Sequence, residues 1–159
     1  MANLHERIAA DAASAAKAGD DVRRDALRFL LASLHNRKIE KKGKGDAAAL
    51  TDDDVRAVIE REAKKRKEAI EFFEKGGRPA QAVKERAELG VLEEYLPAAL
   101  PDAEIARLIE EAIRVSGASD VKEMGKAMAA FRELLGKTAP GFRADAGAVS
   151  AKIKVRLSA

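Results

Sequence analysis

The sequence predicts an all-α fold, and three observations carry that prediction. The chain of 159 residues is rich in Ala, Glu, Lys, Leu and Arg, a composition typical of helices. Apolar residues recur at three- and four-residue spacing through nearly all of it, and no segment alternates with a period of two. Eleven Gly and four Pro are too few for the many turns of a sandwich or barrel. We therefore expect an N-terminal bundle of about four helices followed by a small C-terminal three-helix tail domain.

Start and stop signals define four helices in the first part of the chain. The first helix should end at Gly19, and Asp20 or Asp21 should cap the start of the second. Thr51 should cap the third helix, which should end at Gly76-Gly77, and the fourth should begin at Pro79. Glycines 43 and 45, with the lysines around them, predict an exposed mobile loop between the second and third helices. The fourth helix is expected to reach Pro97.

A domain boundary is predicted where Pro97 and Pro101 bracket three residues, because each proline disfavours helix at the residue before it. This gives an N-terminal helical domain over 1–97 and a tail-like domain over 98–159. The tail should hold one helix ending at Gly117, a second with Met124 and Met128 in its core stripe, and a third near the C-terminus. A loop is expected from residue 136 to residue 141.

Several classes of enzyme are excluded by what the sequence lacks. Without cysteine there is no disulfide, thiolate zinc site, iron–sulfur cluster or Cys nucleophile. Neither a Walker-type phosphate loop nor a dinucleotide fingerprint is present. His5 and His35 have no neighbouring ligand at metal-binding spacing, and the run from Asp52 to Asp54 is interpreted as a helix cap. We expect no catalytic residues, no metal site and no cofactor.

The location predicted from the sequence is the cytoplasm. No apolar run approaches the roughly 18 residues of a membrane helix, and the N-terminus lacks the apolar stretch of a signal peptide. The absence of cysteine fits a reducing compartment. We expect a soluble helical protein with no membrane partner.

Charge is clustered rather than abundant. The net charge is +3, from 20 basic and 19 acidic residues up to Pro97 and 10 against 8 beyond it. One cluster runs from Arg61 to Lys67 between glutamates, and it has two interpretations. Pairs of Lys64 with Glu60 and Glu68 would make it a self-neutralised solvated helix, whereas unpaired cations would suit phosphate contact. The segment 41–44 is likewise either a polar loop or a phosphate-steering one.

The chain resembles the GatB/YqeY family in three segments. The first is LRFLLASLHNRKIE, from Leu27 to Glu40. The second leads from a basic helix through Gly-Gly-Arg to E-x-x-E-L-x-x-L-x-x-Y-L-P. Its matching residues are Arg66, Lys67, Glu68, Ala69, Ile70, Phe73, Gly76, Gly77, Arg78, Glu85, Glu88, Leu89, Leu92, Tyr95, Leu96 and Pro97. The third, D-x-x-x-M-G-K-x-M, matches Asp120, Met124, Gly125, Lys126 and Met128. Arg143-Ala144-Asp145 match a later motif but arrive several residues further along, in the divergent segment 136–147.

The resemblance implies a function in tRNA metabolism. The family is similar to the helical and tail domains of the B subunit of the tRNA-dependent amidotransferase, a carbon–nitrogen ligase that uses glutamine as amide donor on misacylated Glu-tRNA or Asp-tRNA. The similar region holds the tRNA, while the chemistry lies elsewhere in that enzyme. The expected function is therefore a non-catalytic tRNA-binding or accessory module. Its expected partners are tRNA and, beyond it, aminoacyl-tRNA or the amidotransferase machinery. The first alternative is a protein–protein adaptor with no RNA contact. A second alternative is an amidotransferase whose missing sites are supplied by partner proteins.

The residues expected to contact RNA combine the basic cluster with family-matching positions. Because the chain has many Lys and Arg but few aromatics, these contacts are expected to be mainly to phosphates. The set is Arg61, Lys64, Lys65, Lys67, Arg78, Lys126 and Arg143.

Overall fold

The computed structural model describes residues 2–46 and 49–159, and in this part of the chain it is an all-α protein with one very short pair of strands. The elements are α1 (Leu4–Ala18), α2 (Asp21–Gly43), α3 (Asp52–Lys75), α4 (Pro79–Glu93), β1 (Ala98–Ala99), α5 (Asp102–Ser116), a 3₁₀ turn (Val121–Glu123), α6 (Met124–Thr138), β2 (Phe142–Arg143) and α7 (Ala146–Leu157). These elements form two compact units, the first ending at Leu96 and the second beginning at Pro97.

The first unit packs α1 to α4 around an aliphatic core. α3 and α4 form a helical hairpin, and α2 packs against both. The fully buried side chains come from one stripe of each helix, as the helical period requires. The largest of them are Ile8, Leu27, Leu30, Leu34, Val55, Val58, Ile59 and Leu92.

The predicted caps of the first unit are confirmed. Thr51 and Asp54 form a capping box, in which the Thr51 hydroxyl accepts from the Asp54 amide and the Asp54 carboxylate accepts from the Thr51 amide. Asp20 caps α2 by accepting from the amide of Arg23. Gly77 has a φ of +68° between α3 and α4, a conformation that glycine adopts without the strain of a side chain.

Two helix ends differ from the prediction. α2 continues to Gly43 instead of breaking before it, because Lys41 forms an ion pair with Asp54 at the start of α3, Nζ to Oδ2 2.8 Å, that holds the last turn. α4 ends at Glu93, before Pro97, and the chain then turns through Tyr95 and Leu96, whose side chains are buried in the core of the first unit.

Tyr95 occupies a polar cluster at this turn. Its hydroxyl donates to the Asp11 carboxylate of α1 and accepts from Arg23 of α2, 3.3 Å away. Arg23 also pairs with Glu94 at 2.7 Å, and the guanidinium of Arg7 lies 5.0 Å from the centre of the Tyr95 ring. Burial, followed by the neighbouring Asp11 carboxylate, raises the pKa of Tyr95 to about 12.

The second unit has its own core between α5, α6 and α7. Its most buried large side chains are Leu108, Val149 and Ile153, and Met124 and Met128 pack against this cluster, which confirms their predicted core position. The predicted all-α class is confirmed, because strands in the described residues form only one pair of two residues each. β1 pairs with β2 in parallel, Ala98 opposite Phe142.

The expected loop from residue 136 to 141 is also shorter than predicted, because α6 includes Gly136 and ends at Thr138. Leu134 and Leu135, which precede this glycine, pack against the second core. Their burial offsets the roughly 1 kcal/mol that a glycine costs in a helix.

Membrane-spanning helices and metal-binding clusters are both absent from the described residues. No helix in them is both long enough and apolar enough to cross a membrane. No group of three or more His, Asp or Glu side chains in the same residues is arranged to hold a metal ion.

Candidate nucleic-acid interface

The exposed face of α3 carries two cations that have no carboxylate partner among the described residues. Arg61 and Lys64 lie on the side opposite the buried stripe of Val55, Ile59 and Ile70. Within the described part of the chain neither side chain forms an ion pair or a hydrogen bond. Their charges are therefore uncompensated at the surface.

The pairs of Lys64 with Glu60 and Glu68, which one of the two interpretations of this cluster requires, are absent from the described residues. Glu62 takes the neighbouring cation instead, with 3.0 Å between Lys65 Nζ and Glu62 Oε1. Lys67 reaches Glu93 of α4, 3.7 Å away. Both lysine side chains are exposed, so Lys65 and Lys67 are accessible but partly neutralised by their carboxylate partners. Lys64 is also accessible, and no described residue neutralises its charge.

Arg66, in the middle of the same cluster, points into the α3–α4 hairpin. It pairs with Glu85 at 3.0 Å and with Glu88, and its side chain is only 13% exposed. Its Nε is buried without a hydrogen-bond partner in the described residues. Arg66 therefore joins α3 to α4 and fixes which face of α3 is presented to solvent.

Arg78 precedes α4 and is exposed. Its backbone amide donates to the Phe73 carbonyl at 2.8 Å and closes the turn between α3 and α4. Its guanidinium makes no ion pair with any described residue. Like Arg61 and Lys64, it offers a free positive charge in the first unit.

The second unit contains Lys126, which is exposed near the start of α6. Its ammonium lies 2.8 Å from Glu123. This contact, together with hydrogen bonds from the amide and hydroxyl of Ser119, lowers the pKa of Glu123 to about 2 and keeps that carboxylate charged. The Glu123 carboxylate thus offsets much of the charge that Lys126 could offer to an anion.

Arg143 has a structural role in the second unit. Its Nε donates to the Pro97 carbonyl at 3.0 Å, and its own carbonyl accepts from the Leu100 amide at 2.8 Å. These bonds hold β2 beside β1. The half-buried side chain is therefore committed to the backbone, although the residue matches the family pattern.

Gly125 lies in open space. A side-chain carbon built at this position would meet no atom within 4 Å. No neighbouring helix therefore packs closely on Gly125 in the second unit as described.

A small polar cavity of 160 Å³ lies between α2 and α3. Its α2 side chains were not among the residues predicted to contact RNA. Ser33, Asn36 and Arg37 line it on α2, and Arg61 and Lys65 line it on α3. These residues belong to the segment from Leu27 to Glu40 that resembles the family. Only the packing of α2 on α3 places them next to the basic cluster.

Lys41 is not part of a free basic loop. Its ammonium is largely buried between Asp54 and Asp46, at 2.8 Å and 3.3 Å. The contact with Lys41, followed by the hydrogen bonds from Thr51, lowers the pKa of Asp54 to about 2. Lys41 therefore stabilises the junction of α2 and α3.

Fold and surface define a two-unit, all-α protein with uncompensated cations on one helix. A family model described as Yqey-like protein matches residues 5–157. The chain is also 30% identical over 161 residues to "Altered inheritance of mitochondria protein 41, mitochondrial" of Lachancea thermotolerans, an alignment that covers 96% of this chain and 78% of that protein. The chain belongs to the YqeY family, which is related to GatB.

Proposed function

We propose that this protein is a non-catalytic, tRNA-binding accessory module that contacts RNA phosphates through the exposed face of α3. The observation that supports it best is the pair Arg61 and Lys64, which are exposed and have no carboxylate partner in the described residues. The kinship of the family with the tRNA-holding region of the amidotransferase B subunit supports the choice of RNA. The proposed partners are tRNA, aminoacyl-tRNA and the amidotransferase machinery.

The seven predicted contact residues contribute unequally to this proposal. Arg61, Lys64 and Arg78 are free to meet a phosphate. Lys65 and Lys67 would have to exchange a carboxylate for a phosphate, at small cost because exposed ion pairs are worth about 0–1 kcal/mol. Lys126 and Arg143 belong to the second unit and are engaged there, so we rank them last.

The proposal is tested by charge reversal on α3 with a matched control elsewhere. Arg61→Glu with Lys64→Glu should weaken binding of unmodified tRNA by tenfold or more. It should also reduce the steepness of the salt dependence, because each lost phosphate contact removes about 0.7–0.9 from the slope of log affinity against log salt. Fluorescence anisotropy with labelled tRNA over a salt series measures both.

The control makes the same change of net charge off this face. Lys17 and Lys84 lie on α1 and α4, are exposed and have no ion pair among the described residues. Lys17→Glu with Lys84→Glu should leave affinity within about threefold of wild type. Equal losses in both double variants, or no tRNA affinity of the wild-type protein at low salt, would reject the proposed interface.

A protein–protein adaptor remains the alternative, and one observation favours it. The second unit has an apolar cavity of 470 Å³ between α5 and α7, lined by Ala106, Ile109, Ala151 and Val155, with Val155 largely exposed. Apolar concave surfaces of this kind suit a protein contact. Absence of tRNA binding in the experiment above would favour this function.

For location we propose the cytoplasm, on the sequence signals given earlier. The name of the Lachancea thermotolerans relative describes that protein as mitochondrial. Fractionation of cells that express the tagged full chain distinguishes the two compartments.

A further inference from the structure

The polar cavity between α2 and α3 has the donors of an anion-binding site. Ser33 and Asn36 on α2 and Arg61 on α3 line it, and none of their side chains has a hydrogen-bond or ion-pair partner in the described residues. A hydroxyl, an amide and a guanidinium are all donors, and the fork of an Arg side chain matches phosphate. Their convergence in one cavity therefore favours an acceptor with negative charge.

The carboxylates at this cavity are already neutralised. Glu62 pairs with Lys65 at 3.0 Å, and Glu40 pairs with Arg37 at 3.2 Å. Three cations and two carboxylates thus line the cavity, and the uncompensated charge belongs to Arg61. An anion that enters meets no free carboxylate.

The size of the cavity limits what it can hold. Its 160 Å³ is well below the roughly 300–1,000 Å³ of pockets that enclose a whole small molecule. A single phosphate-sized group is a better match than a complete nucleotide. The rest of a nucleotide would lie on the surface outside.

An exposed aromatic ring lies next to the cavity on the same face of α2. Phe29 precedes Ser33 by four residues and Asn36 by seven, which places the three on one stripe of the helix, and its ring is 70% exposed. Four residues separate Phe29 from Ser33, about 6 Å along the helix axis. An exposed ring at this distance can stack on a base whose phosphate occupies the cavity.

We propose that the α2–α3 cavity and Phe29 bind one unpaired nucleotide of RNA, with its phosphate among Ser33, Asn36 and Arg61 and its base stacked on Phe29. This inference rests on the proposed RNA-binding function and adds that the contacted segment is single-stranded. Bases in a duplex are stacked on each other and cannot cover a side chain, whereas unpaired bases can.

Phe29→Trp provides a direct reporter, because the sequence has no tryptophan. The variant should bind a mixed-sequence single-stranded 12-mer RNA at least as tightly as wild type, and its indole fluorescence should be quenched on binding. Phe29→Ala should lose about five- to hundred-fold in affinity for the same RNA, as removal of a stacked aromatic does. A blunt duplex of the same sequence should bind more weakly and show no quenching.

Val83→Trp is the matched control. Val83 is 62% exposed on α4 and does not line the cavity, so the indole of this variant should not respond to the single strand. Arg61→Gln tests the phosphate contact separately. It should lower the salt slope by about 0.7–0.9, one phosphate, whereas Phe29→Ala should leave the slope unchanged.

The outcomes separate this inference from the function on which it rests. If tRNA and the 12-mer bind but Phe29→Ala binds equally well and the Phe29→Trp variant shows no quenching, the nucleotide site is wrong and RNA binding by α3 stands. If neither RNA binds, both proposals fail and the exposed Phe29 is left to a protein contact. Because residue 29 is on the surface, circular dichroism of both variants should match wild type.

Discussion

At the scale of single residues, Tyr95 shows how one hydroxyl connects distant parts of the chain. It donates to Asp11 of α1 and accepts from Arg23 of α2, although it lies beyond the end of α4. Tyr95 is 4% exposed and packs in the first core. Apolar packing and polar contact thus act through the same side chain.

Tyr95→Phe should lower the free energy of unfolding by about 1–3 kcal/mol, because the ring stays while the partly buried Asp11 loses its donor. Urea unfolding followed by circular dichroism measures this loss. Unchanged stability would mean that water replaces the phenol at no cost.

The same residue predicts a dependence on alkaline pH. In the unfolded chain tyrosine ionises near pH 10, and in the folded protein the pKa of Tyr95 is about 12. The stabilisation from the neutral phenol is thus complete below pH 10 and is lost as pH rises towards 12. The difference in stability between wild type and Tyr95→Phe should shrink over this range, and a constant difference would contradict the assignment.

At the scale of helices, the α3–α4 hairpin depends on a buried charge cluster. Arg66 is 13% exposed and the Glu88 side chain 9%, so removal of one leaves the other charged in the interior. Arg66→Met should cost about 3–5 kcal/mol of unfolding free energy, whereas Arg66→Met with Glu88→Leu should recover most of it.

A double-mutant cycle from urea unfolding of the four proteins checks this prediction. Glu85 is kept in the double variant because its side chain is more exposed than that of Glu88. Additive losses from the two substitutions would show that the cluster is not coupled.

Helix signals in the sequence were local, and the structure confirms them where local effects dominate. Thr51 caps α3 and Asp20 caps α2, because a cap needs only the next three residues. The predicted end of α2 was wrong, because the ion pair between Lys41 and Asp54 of α3 stabilises an additional part of the helix. The β1–β2 pair was missed because it joins residues more than 40 positions apart.

The candidate interface was predictable in composition but not in detail. Sequence spacing paired Lys64 with glutamates on its own helix, yet the observed partners are Glu62 for Lys65 and Glu93 for Lys67. The partners of Arg66 come from α4, and the donors opposite Arg61 come from α2. These arrangements follow from packing between helices, which no single helical pattern specifies.

At the scale of the whole molecule, each unit has a separate core. The first core joins α1 to α4, and the second joins α5 to α7. The predicted boundary at Pro97 therefore leads to an experiment with two fragments.

Residues 1–96 should fold alone and unfold cooperatively in urea. Residues 97–159, a unit of 63 residues, should have a lower free energy of unfolding, because domains of about 60 residues bury a smaller fraction of their surface. Circular dichroism of the two fragments beside the full chain measures this. A fragment 1–96 without a cooperative transition would show that the first core is incomplete by itself.

The hydrogen bond between Tyr95 and Asp11 also affects how the protein folds during its synthesis on the ribosome. The two residues are 84 positions apart in sequence. At a synthesis rate of about 5–20 residues per second, roughly 4–17 s pass between the addition of Asp11 and that of Tyr95. During that time the ribosome holds a growing chain whose first helix lacks its polar anchor, so α1 can complete its native contacts only when the last residues of the first unit have been made.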